Sequence, residues 1–153
     1  PISGALVGLV DFAIAFVVLI GMMVYYGVSP TWANLSVPLF IVIALLSAFG
    51  VGLWLSALNA MFRDVQHILP FMVQIWLFAT PVAYSSSLIP ETKQIIYSIN
   101  PMAGVVEGFR WAILGNEMIS WPHFGLSVTV MGMILVTGLF YFRRVERIFA
   151  DVV

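Results

Sequence analysis

Four runs of apolar residues, separated by segments of different character, organise the chain. They cover residues 6–26, 37–58, 68–84 and 124–142, which is 21, 22, 17 and 19 residues. A transmembrane α-helix needs about 20 mostly apolar residues. A helix also satisfies its own backbone hydrogen bonds, as hydrocarbon surroundings require. None of the runs alternates with the period of two that a barrel strand shows, so the pattern predicts four transmembrane helices.

Two prolines make the third run different from the others. Pro81 lies near its outer end, where proline removes a backbone donor and kinks or stops a helix. Pro70 lies near its start and suits the first helical turn. A helix that crosses the membrane here must therefore begin near Asp64, or else thin the bilayer locally.

The segment between the third and fourth runs predicts two short helices, over residues 90–99 and 101–114. Pro90 suits a first helical position, Asn100 suits an N-cap, and Gly115 supplies a stop. The longer helix would span only about 21 Å at 1.5 Å per residue, too short to cross a membrane. We expect a re-entrant helical hairpin over residues 90–114 that dips into the outer leaflet.

The positions of the basic residues predict the orientation, because Lys and Arg in short loops stay cytoplasmic. Residues 59–67 would form a charged cytoplasmic elbow, and residues 143–153 a cytoplasmic tail. Four of the six basic residues then lie inside, namely Arg63, Arg143, Arg144 and Arg147, and two lie outside, namely Lys93 and Arg110. The C-terminus is predicted to be cytoplasmic.

Composition then excludes most other classes of protein. The chain is 62% hydrophobic and 8% charged, against roughly 25% charged in a soluble domain, so we predict an all-α polytopic membrane protein forming a single transmembrane domain. The net charge of −1 offers no basic surface for nucleic acid. Since the first residue is Pro1 rather than Met, we expect a C-terminal piece of a longer polypeptide.

The sequence also lacks the residues of common catalytic sites. It has no cysteine, and its two histidines, His67 and His123, fall at opposite membrane faces of the predicted topology. The single lysine, Lys93, is not part of a phosphate-binding P-loop motif. We therefore expect no catalytic residue, no metal and no bound cofactor, and an energy supply that comes from another protein.

Several charged residues are candidates for function, each with a structural alternative. Arg63 and Asp64 would dock a cytoplasmic subunit, or would only mark the membrane boundary. Asp11 lies in an apolar run, where an acid at the bilayer centre costs about 2.5–3.5 kcal/mol, and serves either transport or an interfacial contact. Glu107 and Arg110 are three residues apart and can pair on one helix face.

Small and aromatic residues add further candidates. Gly104 and Gly108 form a G-x-x-x-G pattern that permits close helix packing, as do Gly4 and Gly8 in the first run. Most aromatic residues fall at predicted membrane interfaces. The following could stack on sugar rings in a channel or simply pack against lipid and protein: Trp54, Trp76, Phe78 and Tyr84.

Three motifs together carry a family resemblance. They are LVDF at residues 9–12, NAMFRDVQHILPFMVQIWLFATPVAY at 59–84 and INPMAGVVEGFRWAILG at 99–115. In their order and in their residues, these motifs resemble the permease subunits of type-2 ABC exporters. The resemblance is nearest to the branch that exports O-antigen, capsule or teichoic-acid polysaccharides, and it covers essentially the whole chain.

The resemblance implies a fold and a set of partners. Such permeases have six transmembrane helices, so this chain resembles helices three to six of a homodimer in the bacterial inner membrane. Each subunit docks on a separate ATPase, which binds ATP and Mg²⁺. By resemblance, Arg63 and Asp64 contact that ATPase, and Glu107, Arg110 and Trp111 belong to outer gate helices at the channel exit. The substrate would be a lipid-linked glycan.

Three other functions stay open at this point. One is a type-2 ABC exporter of drugs or small lipids. Another is a membrane scaffold or assembly factor, whose function would survive Arg63→Ala and Asp64→Ala. An intramembrane glycosyltransferase would need clustered acids or metal ligands facing one cavity, and the sequence provides none.

Overall fold

The computed structural model describes residues 2–82, 84–115 and 119–150, and all regular structure in these ranges is helical. It contains six α-helices: α1 (Ile2–Tyr25), α2 (Val37–Met61), α3 (Val65–Ala79), α4 (Glu91–Ser98), α5 (Pro101–Leu114) and α6 (Trp121–Ala150). Two short 3₁₀ segments, Trp32–Ser36 and Ser86–Leu88, precede α2 and α4. The prediction of an all-helical fold is confirmed.

Within the described ranges, three helical segments are long and apolar enough to cross a membrane: Leu6–Tyr25 in α1, Trp32–Met61, which includes α2, and Trp121–Ile148 in α6. The third predicted span differs. The helix α3 has 15 residues, about 22 Å, less than the roughly 30 Å hydrocarbon core. It begins next to Asp64, as expected, but the predicted helical continuation through Tyr84 is wrong. Thr80 adopts an extended conformation (φ −94°, ψ 132°), and Pro81 follows it.

Three further details of the helices differ from the sequence prediction. Pro70 lies inside α3 rather than in its first turn. The elbow predicted over residues 59–67 is shorter, because α2 continues to Met61 and only three residues separate it from α3. The predicted tail is helical through Ala150, and its last three residues lie outside the described ranges.

The core forms where α2, α5 and α6 meet. The helices α2 and α6 approach closely at two glycines: a Cβ on Gly50 would lie 3.1 Å from the Leu135 backbone, and one on Gly138 would lie 3.0 Å from the carbonyl oxygen of Gly50. The buried apolar cluster comprises Val37, Phe40, Ile43, Val105, Ala112, Ile119 and Met131. The short helix α5 is thus a packed part of the bundle and not a surface loop.

The helices α1 and α3 contrast with this core, since most of their apolar side chains are exposed. Residues 71–79 of α3 are all exposed. On α1, a Cβ at Gly4 or Gly8 would meet nothing within 4 Å, so the close packing expected from that G-x-x-x-G pattern is not formed by the described part of the chain. Membrane lipid or other protein must cover these faces, because exposed apolar area of this extent is not stable in water.

Candidate functional site

The outer hairpin, meaning α4 and α5, is defined by strong local signals. The Asn100 side chain accepts a hydrogen bond from the Met102 backbone N–H at 3.0 Å, which confirms its prediction as the N-cap of α5. Gly115 ends α5 with φ 66°, a left-handed conformation that favours glycine. Pro90 is the N-cap residue of α4 and not its first helical residue, so α4 begins one residue later than predicted.

The two glycines of α5 let the hairpin insert between two other helices. A Cβ on Gly104 would lie 2.6 Å from the Ser127 Cβ on α6, and one on Gly108 would lie 2.2 Å from the Phe40 ring on α2. The predicted packing role of this pair is confirmed. Each glycine faces a different helix, so the pair fixes α5 in the groove between α2 and α6.

The guanidinium of Arg110 joins α5 to the segment that follows α3. Its Nη2 donates hydrogen bonds to the backbone carbonyls of Val82 at 3.1 Å and Tyr84 at 3.0 Å. The other terminal nitrogen, Nη1, is buried without an acceptor among the described residues. No ion pair between Glu107 and Arg110 is present in the described ranges, so the predicted pair is wrong. The guanidinium instead bonds to two backbone carbonyls in the segment that follows α3, where helical hydrogen bonding has ended.

A second polar contact joins the same two regions. The Asn100 Nδ2 donates to the Thr80 hydroxyl at 2.8 Å, and that hydroxyl donates to the Trp76 carbonyl at 2.9 Å. Thr80 is only 3% exposed, so both bonds form away from solvent, where an unpaired polar group is costly. We call these contacts of Arg110 and Asn100 the hairpin ties.

The two other predicted gate residues lie on different surfaces of α5. Trp111 is half-buried and packs against the core cluster. Glu107 lines a cavity of about 300 Å³, which we call the outer polar cavity. Its other polar lining residues are Ser87, Gln94, Tyr97, Ser98, Ser120, His123 and Ser127.

The elbow presents its charges outward. Arg63 and Asp64 are both exposed, and neither side chain forms a hydrogen bond or ion pair in the described ranges. Asp64 occupies the N-cap position of α3, but its side chain does not cap the helix. Both groups are therefore available to another protein at the point where α3 begins.

The four aromatic candidates do not share one surface. The Trp54 ring stacks on Tyr141 of α6 with centroids 4.6 Å apart, and its Nε1 donates to Thr137 at 3.1 Å. Trp76 lines an apolar cleft between α2 and α3, and Phe78 is 70% exposed. Tyr84 meets the Tyr97 ring edge-on at 6.3 Å. Trp54 thus has a packing role, whereas Phe78 is the freest of the four.

Asp11 is exposed on α1, near the middle of the helix, and no hydrogen bond or ion pair holds its side chain in the described ranges. It lies nine residues after Ile2, about 14 Å along the helix. No hydrogen bond or ion pair joins it to another candidate residue in the part of the chain that the structure describes.

A chain of aromatic contacts was not predicted from the sequence. Phe12 of α1 contacts Phe109 of α5 at 5.8 Å, Phe109 contacts Phe40 of α2 at 5.9 Å, and Phe40 contacts Phe124 of α6 at 5.8 Å. These rings link four helices through the outer hairpin. The one local signal was the spacing of Phe12 and Phe16, which stack at 5.8 Å.

Comparison with known proteins adds independent information. The family model described as ABC-2 type transporter matches residues 2–114. An O-antigen export system permease protein RfbA from Klebsiella pneumoniae is 24% identical over 99% of this chain and 59% of its own length. A protein of the same name from Myxococcus xanthus is 30% identical over 95% of this chain and 58% of its own length. The chain therefore spans somewhat more than half of these relatives.

Proposed function

Because the chain belongs to the ABC-2 type transporter family, we propose that it forms part of the permease subunit of an ATP-driven polysaccharide exporter. The exporter moves a lipid-linked glycan from the cytoplasm to the outer face of the bacterial inner membrane. Similarity to O-antigen export permeases over nearly the whole chain supports this substrate class. The chain acts as a transport subunit and not as an enzyme.

One structural observation carries the mechanism: α3 joins the elbow to the outer hairpin. It starts next to Asp64, and the segment beyond its end is bonded to α5 through Arg110 and Asn100. Between these ends its residues 71–79 are exposed, so little packing within the chain holds it in place. A displacement of the elbow would therefore move the end of α3, and the hairpin ties would pass that displacement to α5.

The proposed partners follow from the surfaces at each end. A separate ATPase binds ATP and Mg²⁺ and docks on Arg63 and Asp64, since this sequence has no P-loop motif. A second copy of the chain and membrane lipids cover the exposed apolar faces of α1 and α3. The three arginines near the end of α6 support a cytoplasmic position for that end of the helix, because basic residues in short segments stay cytoplasmic.

The test uses the complete permease reconstituted in proteoliposomes with its ATPase. Lipid-linked O-polysaccharide is supplied on the ATPase side, and glycan reaching the opposite side is measured by its accessibility to a membrane-impermeant glycosidase. We expect ATP-dependent transfer and an ATPase rate that rises when the glycan is added. A complex that moves no glycan, and whose ATP turnover ignores it, would overturn the proposal. Catalytically dead ATPase provides the matched control.

An apolar cleft favours a second candidate, the exporter of drugs or small lipids. The cleft lies between α2 and α3, has a volume of about 420 Å³ and is lined mostly by apolar side chains, including Met72 and Trp76. A cleft of this kind fits an acyl chain or a hydrophobic drug. In the same proteoliposomes, stimulation of the ATPase by a fluorescent short-chain phospholipid, without stimulation by the glycan, would favour this alternative.

A further inference from the structure

The outer polar cavity has the character of a ligand site. It lies among α4, α5 and the start of α6, and its volume of about 300 Å³ is at the lower end of the range for small-molecule pockets. A cavity of this size has room for a sugar-sized ring with its hydroxyl groups.

The polar groups of the cavity differ in whether they already have hydrogen-bond partners. The Ser98 hydroxyl donates to the Gln94 carbonyl, and the Ser127 hydroxyl donates to the Ser98 carbonyl, both at 2.8 Å. The first bond lies within α4 and the second joins α6 to α4, so the protons of both hydroxyls are already donated within the protein. A polar contact between α4 and α6 thus holds this wall of the cavity together.

Other groups are unpaired. The Glu107 carboxylate is half-buried and forms no hydrogen bond or ion pair in the described ranges. His123 contacts the Ser120 hydroxyl through Nδ1 at 2.6 Å, which leaves Nε2 without a partner among the described residues. A half-buried carboxylate without a donor is costly, so this site requires hydroxyl donors from water or from a ligand.

We propose that the outer polar cavity binds one uncharged sugar ring of the exported glycan. The proposal rests on the function proposed above and adds a subsite to it. The Glu107 carboxylate, the Gln94 amide oxygen and the His123 imidazole supply groups that bond to vicinal hydroxyls, and Tyr97 adds an aromatic ring to the lining. The Gln94 amide nitrogen already donates to the Ile89 carbonyl at 3.3 Å. Because Glu107 is the one charged side chain among the described residues of the lining, a sugar that carries a carboxylate is disfavoured by like-charge repulsion.

Binding is tested without ATP on the complete permease–ATPase complex in lipid nanodiscs. Saturation-transfer NMR reports contacts with methyl α-D-galactoside, methyl α-D-glucoside and methyl α-D-mannoside, and galacturonate supplies the charged comparison. We expect at least one neutral glycoside to bind, and Glu107→Gln to weaken it about tenfold through loss of a charged hydrogen-bond acceptor. Glu91→Gln, an exposed acid on α4 outside the cavity, should leave binding unchanged.

A second variant protects the test against a folding defect. His123→Gln should also weaken the glycoside signal, whereas His67→Gln, at the exposed start of α3, should not. If no neutral glycoside binds, if galacturonate binds equally well, or if Glu107→Gln has no effect, the cavity is only a water-filled space and the inference fails. Glycan export measured in the proteoliposome assay decides the proposed function separately, since that assay does not depend on this binding.

Discussion

The Asn100 side chain donates a hydrogen bond to the Thr80 hydroxyl at 2.8 Å, and so joins the start of α5 to the end of α3. The same amide group accepts from the Met102 backbone through its oxygen. One side chain therefore caps the hairpin helix and holds it to the helix that begins at the elbow. Residues 20 positions apart in sequence become one structural joint.

Thr80→Val tests this joint. Valine has nearly the same shape, but it removes the acceptor for Asn100 and leaves a partly buried amide without a partner. We expect the free energy of unfolding to fall by about 1–3 kcal/mol, measured by thermal or denaturant unfolding of the purified complete permease in detergent. Thr129→Val is the matched control, because its hydroxyl is exposed and bonds only to Gly125 of its own helix. Equal stability of the two variants would contradict a stabilising role for the hydrogen bond between Asn100 and Thr80.

Gly108→Ala tests the insertion of the hairpin. The added methyl group would lie 2.2 Å from the Phe40 ring, so the ring or the helix must shift, at a cost of about 1–3 kcal/mol or more. Gly132→Ala on α6 meets nothing within 4 Å and should be neutral or slightly stabilising. The free energies of unfolding of the Gly108→Ala and Gly132→Ala variants are measured in the same way and compared.

A compensating change makes this prediction specific. Phe40→Leu removes part of the ring, so the double variant with Gly108→Ala should lose less stability than the sum of the two single changes. If the two losses in the free energy of unfolding simply add, the Phe40 ring is not the group that the added methyl group meets. The contact would then not explain the requirement for glycine.

Trp54→Phe and Phe78→Leu separate packing aromatics from free ones. Trp54→Phe keeps a ring against Tyr141 but loses the hydrogen bond to Thr137, so stability should fall by about 1 kcal/mol. Phe78 is 70% exposed, so Phe78→Leu should leave the stability of the subunit unchanged and act only on export. The measurements are unfolding and glycan transfer side by side. A larger stability loss at Phe78 than at Trp54 would contradict this assignment.

Much of the fold could be predicted because its signals are local. Hydropathy alone places α1, α2 and α6, and the residues around Asn100 and Gly115 mark the ends of α5. The glycine spacing at Gly104 and Gly108 predicted close packing, which the structure contains. Each of these features depends on residues within a few positions of one another.

The contacts of Arg110 could not be predicted in this way. Its acceptors, Val82 and Tyr84, lie 28 and 26 residues away and become available only because α3 ends before Pro81. From sequence alone, Glu107 was the nearer partner at a helical spacing of three. The aromatic chain through Phe109 also could not be predicted, because it forms only when four helices are in place. Both features depend on tertiary contacts between residues far apart in sequence, which no local pattern indicates.

The elbow makes a prediction about the ATPase. Arg63 and Asp64 are exposed and unpaired within the described ranges, so Arg63→Ala and Asp64→Ala should leave the stability of the isolated permease unchanged. Each should weaken binding of the ATPase about tenfold or more, because a charge at the interface loses its counterpart. Pull-down and ATPase titration measure this, with Lys93→Ala on the outer hairpin as the control. Unchanged binding in both elbow variants would place the docking site elsewhere.

The most direct test of the coupling role of the hairpin ties is the amount of glycan exported per ATP hydrolysed, measured for Arg110→Lys in the reconstituted complex. Lysine keeps the positive charge, but its side chain is one bond shorter, so its ammonium does not reach the position from which the arginine Nη2 donates to both Val82 and Tyr84. Arg143→Lys, on the exposed end of α6, is the control. We predict that Arg110→Lys assembles with the ATPase and hydrolyses ATP, but exports severalfold less glycan per ATP. A ratio equal to that of the unaltered protein would contradict the account.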